Sequence, residues 1–119
     1  MNLLHNNTLG IDIGSTTVKI AVLDSEQHIL FTDYERHYAN IQETLALLLS
    51  KAKEKLGEMT VSPSITGSGG LTLSGHLNVP FTQEVVAVAT ALQDYAPQTD
   101  VAIELGGEDA KIIYFTGGI

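Results

Sequence analysis

The sequence predicts an α/β fold built on a mixed sheet, and three observations carry that prediction. Apolar residues alternate with small or polar ones from residue 9 to 13 and run on through 18–23 and 28–36, as strands do. The period then changes. Ile41, Leu45, Leu48, Leu49, Ala52 and Leu56 recur at helical spacing. Glycine-rich turns at residues 14–17, 67–70 and 106–109 each follow an apolar run, the place where open α/β sheets present their loops.

Taken in order, Leu9, Ile11 and Ile13 alternate with Gly10, Asp12 and Gly14, and after Ser15, Thr16 and Thr17 a second strand carries Val18, Ile20, Ala21, Val22 and Leu23. Only a short turn joins these strands, so the pair should be antiparallel. Residues 24–27 form a polar turn, and 28–36 (HILFTDYER) continue the meander as a third strand. Asn40 is a good helix N-cap, with Glu43 three residues on giving a box-like start. The helix should run about 17 residues to Gly57, lay its leucine stripe on the sheet and show Lys51, Lys53, Glu54 and Lys55 to water. Residues 61–66 read as a fourth strand, with Pro63 predicting irregular pairing near its start. Residues 67–70 (GSGG) end that strand and open a short helix over 71–77. A brief fifth strand at 79–82, a largely apolar helix at 84–95 ended by Pro97, and two strands at 100–105 and 110–115 complete the pattern. The sequence stops directly after that last strand with no helix to cover the hairpin, which reads as part of a longer chain.

At 119 residues the chain fits one domain able to bury a real core without staples. It contains no cysteine, which excludes disulfides and thiolate-held metal or iron–sulfur centres within these residues. His5, His28, His37 and His76 show no ligand spacing and read as surface or turn residues. Fourteen acidic against six basic side chains give a net charge of -8, which repels a polyanion and argues against nucleic acid as a partner. A small phosphate ligand remains compatible with that charge if backbone N–H groups, a lysine or two and a divalent cation supply the positive field. No apolar run approaches the roughly 18 residues of a membrane span, and residues 1–8 lack a basic region followed by an apolar core. No membrane partner and a cytoplasmic location are the default expectation.

The sequence also repeats itself. DIGSTTVKI at 12–20 and ELGGEDAKI at 104–112 match in kind at an offset of 92 residues. In each copy a carboxylate ends a strand, a glycine follows two residues on, and a lysine comes seven residues after the acid. Glycine allows close backbone approach to phosphate oxygens, and successive turn N–H groups make an anion nest. Ser15, Thr16 and Thr17 offer hydroxyl donors, while Asp12 and Glu104 can hold Mg2+, usually through its waters. No GxxxxGK[ST] loop occurs. One such turn alone is a weak signal and more often an ordinary hairpin; the duplication is what favours a metal-complexed polyphosphate bound between two hairpins. Gly67 and Gly69 fit either a third ligand-facing loop or a tight strand-to-helix turn.

Residues 11–19 (IDIGSTTVK), 66–70 (TGSGG) and 103–111 (IELGGEDAK) resemble, in that order, the ATPases that activate 2-hydroxyacyl-CoA dehydratases and benzoyl-CoA reductases, members of the acetate kinase, sugar kinase, Hsp70 and actin superfamily. The resemblance runs from about residue 9 to 115. It implies two RNase H-like domains closing on ATP, the first with a mixed five-stranded sheet of order 3-2-1-4-5 and helices on both faces. Residues 1–97 would be the first subdomain and 98–119 the opening hairpin of a second. Asp12 would assist Mg2+ and catalysis in the first phosphate motif, with Gly14, Ser15, Thr16, Thr17 and Lys19 around the phosphates. Glu104 would do the same in the second motif, with Gly106, Gly107 and Asp109, and Gly67 and Gly69 would line the loop between.

Many relatives carry Asp and Gln at these places; in having Glu104 and Glu108 this chain resembles the very long, multi-domain activase-like proteins more than the compact activators. The longer Glu104 side chain favours Mg2+ held through water. The family's cluster-binding cysteine and adenosine-binding part lie past its second phosphate motif. The resemblance therefore implies ATP or ADP with Mg2+ as cofactor, a [4Fe-4S] cluster only outside this chain, and a CoA-ester dehydratase or reductase component as partner. The expected function is the N-terminal part of an activator coupling ATP hydrolysis to electron transfer, inactive as an ATPase on its own. The alternatives are a sugar or acid kinase of the same superfamily and a non-catalytic nucleotide-sensing module. The 100–115 hairpin, with apolar residues on both its strands, is expected to pair with a second copy and give a homodimer.

Overall fold

The computed structural model describes residues 7–106 and 110–115. Three strands come first: β1 (Asn7–Ile13), β2 (Thr17–Leu23) and β3 (Ile29–Arg36). They form the antiparallel meander that the alternation predicts, with Ile11 opposite Ile20 and Ile20 opposite Asp33. The helix α1 (Ile41–Leu56) then returns the chain to β4 (Val61–Thr66), which pairs parallel with β1, placing Ile65 beside Ile11 and Thr66 beside Asp12. The described sheet thus has four strands in the order β3-β2-β1-β4, where a five-stranded sheet was expected.

The fifth position is held by a single bridge. Ile65 N–H donates to the Pro80 carbonyl at 2.9 Å, and Thr82 N–H donates to the Ile65 carbonyl at 2.8 Å, so residues 79–82 run parallel to β4 without becoming a strand. Proline explains the brevity on both sides. Pro80 has no N–H to extend the ladder, and Pro63, two residues before Ile65, directs its missing donor to this same edge. Pro63 therefore leaves the pairing with β1 regular, contrary to the expected irregularity, and blunts the outer edge instead.

One face of the sheet carries the core. Leu9, Ile11, Ile13, Val18, Ile20, Val22 and Ile65 lie on it, covered by Leu45, Leu48 and Ala52 of α1 and Leu73 of α2 (Gly70–Leu77). Leu49 lies outside that buried stripe and Thr44 joins it. The α1 start differs from a capping box: Asn40 makes no side-chain cap, and its carbonyl accepts from both the Thr44 amide and the Thr44 hydroxyl. Lys51 also departs from a purely solvated role, since it reaches Glu35 at 3.1 Å and Asp33 at 3.4 Å on the adjoining edge strand.

The opposite face is furnished differently. Gly10, Asp12, Lys19, Ala21, Ser64 and Thr66 look into a groove of about 1500 Å3 whose far wall is α3 (Glu84–Tyr95). Helices therefore occupy both sides, as expected, yet no residue of α3 is buried. Contacts at its two ends hold it, the Tyr95 hydroxyl donating to the Gln27 carbonyl at 3.3 Å and Glu84 meeting Lys111 at 3.1 Å. Lys111 belongs to a separate two-stranded antiparallel sheet of β5 (Val101–Leu105) and β6 (Ala110–Tyr114).

Candidate functional site

The seven-residue spacing between acid and lysine acquires a geometric meaning in the folded chain. A tight turn at 14–17 makes Asp12 and Lys19 direct cross-strand partners, and β5 and β6 pair so that Glu104 and Lys111 are partners too. Directly opposed residues project to the same side, so each hairpin sets a carboxylate beside an ammonium.

Three backbone contacts shape the first two glycine loops, and one of them joins the second loop to the end of β1 beside the first. Gly14 N–H donates to the Thr17 carbonyl at 2.9 Å and closes the turn carrying Ser15 and Thr16. Gly69 N–H donates to the Ile13 carbonyl at 2.8 Å, and Gly70 N–H to the Gly67 carbonyl at 3.1 Å. Gly67 has φ +101°, and a Cβ there would overlap the Ile13 carbonyl oxygen and lie 2.6 Å from Asp12 Oδ1. Only glycine lets this loop approach so closely, and its approach confines the Asp12 carboxylate. A Cβ on Gly69 would sit 3.0 Å from Ile13 Cγ2. Gly67 and Gly69 thus belong to the same place as Asp12, Gly14, Ser15, Thr16 and Thr17. Gly106 is exposed at the end of β5 and makes no hydrogen bond to either loop among the described residues. Gly107 and Asp109 lie outside the described residues.

The electrostatics tie the second hairpin to the first. Burial pushes the Asp12 carboxyl above its ordinary pKa; Lys19 opposes the shift, Glu84 adds to it and Lys111 opposes it. Burial likewise raises Glu104, followed by a side-chain hydrogen bond and like charge from Glu84, with Lys111 opposing and Asp12 adding. Three carboxylates, Asp12, Glu84 and Glu104, therefore share one field with Lys19 and Lys111. Glu84 is a member that its apolar helix conceals in the sequence; its place at the first turn of α3, anchored by Lys111, brings it in.

Among the described residues two buried side-chain oxygens at this end of the molecule have no hydrogen-bond partner, Thr66 Oγ1 and Glu104 Oε2. Glu84, when ionised, offers Glu104 Oε2 no donor. An orphaned carboxylate oxygen, an orphaned hydroxyl and carboxyls raised by burial and then by one another are what a bound cation with its waters would relieve, so these residues fit Mg2+. Among the described residues no three acidic or histidine side chains form a direct metal cage. Mg2+ keeps several waters and needs only one or two carboxylates plus phosphate oxygens. A smaller cavity of about 320 Å3 beside the end of α1, lined by Leu9, Val22, Leu49 and Met59, has no such set of carboxylates and hydroxyls.

No family model matches the sequence, and no curated protein matches it. Solved structures do. The chain is similar to the component A of (R)-2-hydroxyglutaryl-CoA dehydratase from Acidaminococcus fermentans, with 23% identity and a TM-score of 0.73 over 94% of this chain and 44% of that one. It is similar to the activator of 2-hydroxyisocaproyl-CoA dehydratase from Clostridium difficile with bound ADPNP, at 23% identity and TM-score 0.69 over 92% and 41%. A ROK family glucokinase from Streptomyces griseus in complex with glucose and AMPPNP matches at 20% identity and TM-score 0.59 over 92% and 45%. The chain spans less than half the length of these proteins. At such identities the likeness shows the fold alone, one that this chain shares with parts of these two activators and of the glucokinase. Among the described residues no helix is long and apolar enough to cross a membrane.

Proposed function

We propose that this chain supplies the phosphate-facing part of an ATP-dependent activator, one whose nucleotide hydrolysis drives electron transfer to a CoA-ester dehydratase or reductase. The observation that carries the reading is the convergence of Asp12, Glu104 and Glu84 in one field beside two glycine loops, with Lys19 and Lys111 registered opposite the motif acids. The fold likeness to two dehydratase activators, one with ADPNP bound, supports the direction of the assignment.

In this reading Ser15 and Thr16 receive phosphate oxygens through turn N–H groups and hydroxyls, Gly14 closes the turn that presents them, and Gly67 and Gly69 close the second loop against Asp12. Asp12 and Glu104 would hold Mg2+ through its waters, and the Thr66 hydroxyl would offer a further hydrogen bond there. Bound Mg2+ would neutralise charge that develops on the phosphate oxygens during transfer. Lys19 and Lys111 keep the acids from repelling an anionic ligand outright. Residues 98–119 open a second subdomain, the [4Fe-4S] cluster is carried beyond this cysteine-free chain, and the CoA-ester enzyme is the partner.

Calorimetry with Mg-ADP tests the site. Heat with the wild-type chain that disappears in Asp12→Ala supports the reading. No heat with either, at millimolar ligand and protein shown to be folded, refutes it. The glucokinase likeness leaves phosphoryl transfer to a sugar as the second reading, and ATP turnover stimulated by glucose instead of a dehydratase component would favour it.

A further inference from the structure

His37 follows β3 and is only 8% exposed, although its sequence context reads as a surface turn. Its ring is committed at both nitrogens. Ala39 N–H donates to Nδ1 at 3.0 Å, so Nδ1 presents a lone pair and the ring proton belongs on Nε2. Nε2–H then donates to the Gly14 carbonyl at 3.1 Å, twenty-three residues away in the chain. The His37 backbone N–H donates to the Thr16 carbonyl at 2.9 Å. One residue thus holds two carbonyls of the glycine turn.

The turn that presents His37 is itself strained. Asn40 N–H donates to the His37 carbonyl at 2.7 Å, closing a four-residue turn whose central residues, Tyr38 and Ala39, have φ +46° and +66°. Such a turn normally uses Asn-Gly or glycine pairs. Two ordinary side chains in this region are held there by their surroundings, and backbone outliers of this kind gather where function constrains the chain.

On the ligand side, the amides of Ser15 and Thr16 donate to no protein acceptor among the described residues. A turn with two carbonyls held from behind and two successive N–H groups, those of Ser15 and Thr16, unspent is an anion nest set in advance.

We propose that His37 is the positioning residue of the 14–17 turn: through Gly14 and Thr16 it turns their carbonyls away from the ligand, so that the turn amides meet the phosphates of a metal-complexed polyphosphate. This rests on the phosphate-binding reading above. His37 touches no ligand; it sets beforehand the backbone that does, as outer residues orient the inner ones in other sites.

Two variants separate the roles of the ring nitrogens. His37→Asn keeps an oxygen near the Nδ1 position for the Ala39 amide and loses the reach to Gly14. His37→Gln keeps a donor that reaches Gly14 and loses the Nδ1 acceptor. Each is measured three ways: urea midpoint, amide exchange at residues 14–17 without ligand, and affinity for Mg-pyrophosphate and Mg-ADP. For His37→Asn the expectation is a near wild-type midpoint, faster exchange at Ser15 and Thr16, and affinity lower by about tenfold. For His37→Gln it is a lower midpoint with affinity within about threefold of wild type.

His37→Asn with wild-type exchange and affinity overturns the proposal. So does equal loss of affinity in both variants that follows the midpoint alone. If the folded wild-type chain binds neither ligand, the phosphate-binding reading falls and the proposal falls with it as a statement about ligand. The exchange data then still decide the tether, which stands only if His37→Asn loosens the turn.

Discussion

Gly67→Ala is the perturbation with the most direct structural account. The new Cβ would overlap the Ile13 carbonyl oxygen, lie 2.6 Å from Asp12 Oδ1, and occupy a backbone with φ +101°. Left-handed backbone costs an ordinary residue about 1–2 kcal/mol. Forcing extra volume against packed backbone adds about 1–3 kcal/mol, because Ile13 is held by the Gly69 amide and cannot withdraw freely. The sum, about 2–5 kcal/mol, is a large share of the roughly 5–15 kcal/mol that stabilises a domain. For a chain of this size it should lower the Tm by roughly 8–20 °C. Urea unfolding followed by circular dichroism measures it, with Gly75→Ala as the internal control. Gly75 lies inside α2 with nothing within 4 Å of a Cβ, so alanine there should stabilise by up to about 1 kcal/mol. A Gly67→Ala chain with the wild-type urea midpoint would refute the steric account and, with it, the confinement of Asp12.

Further outcomes follow from the same site. Asp12 and Glu104 both have raised pKa values, so their contribution to stability is greatest below the ordinary carboxylate range and declines as pH rises through the raised values. Asp12→Asn and Glu104→Gln should each flatten that decline in urea midpoints measured between about pH 4 and 7, and an unchanged slope would count against the shared field. Thr66→Val removes a buried hydroxyl without a partner and should raise stability by about 1 kcal/mol in ligand-free protein while weakening Mg-ADP binding; a destabilised variant would mean the hydroxyl is satisfied after all. Ala39→Gly relieves φ +66° and should raise the urea midpoint by the equivalent of about 0.5–1 kcal/mol, unless Ala39 is unstrained.

The strands and α1 were legible because each satisfies a local rule. β1 to β3 alternate, α1 keeps one apolar stripe, and β4 and α3 begin and end where the sequence places them. The acid–lysine repeat was legible as spacing, and its cross-strand register is what a short turn makes of seven residues. Other features depend on contacts distant in the chain. His37 looks like any polar turn residue until Gly14 is folded beside it, and Glu84 looks like the start of an apolar helix until Lys111 anchors it over the acids. The capping box at Asn40 failed for a local reason, since the residue adopts φ -101° and ψ 66° and offers its carbonyl where its side chain was expected. The fifth strand was limited by prolines on both sides of the one bridge that formed, so its ladder could not propagate.

α3 bears no buried side chain, and the contacts at its two ends hold it to the rest of the protein. Its amides should therefore exchange with solvent through local opening, on a free-energy scale well below that of the core strands. Glu84 travels with the helix. Each opening changes the number of carboxylates facing the groove without disturbing Ile13, Leu48 or Ile65, the centre of the core. A ligand that engages the closed arrangement would slow exchange along all of α3, so that occupancy at its first turn becomes readable at Tyr95 at the other end.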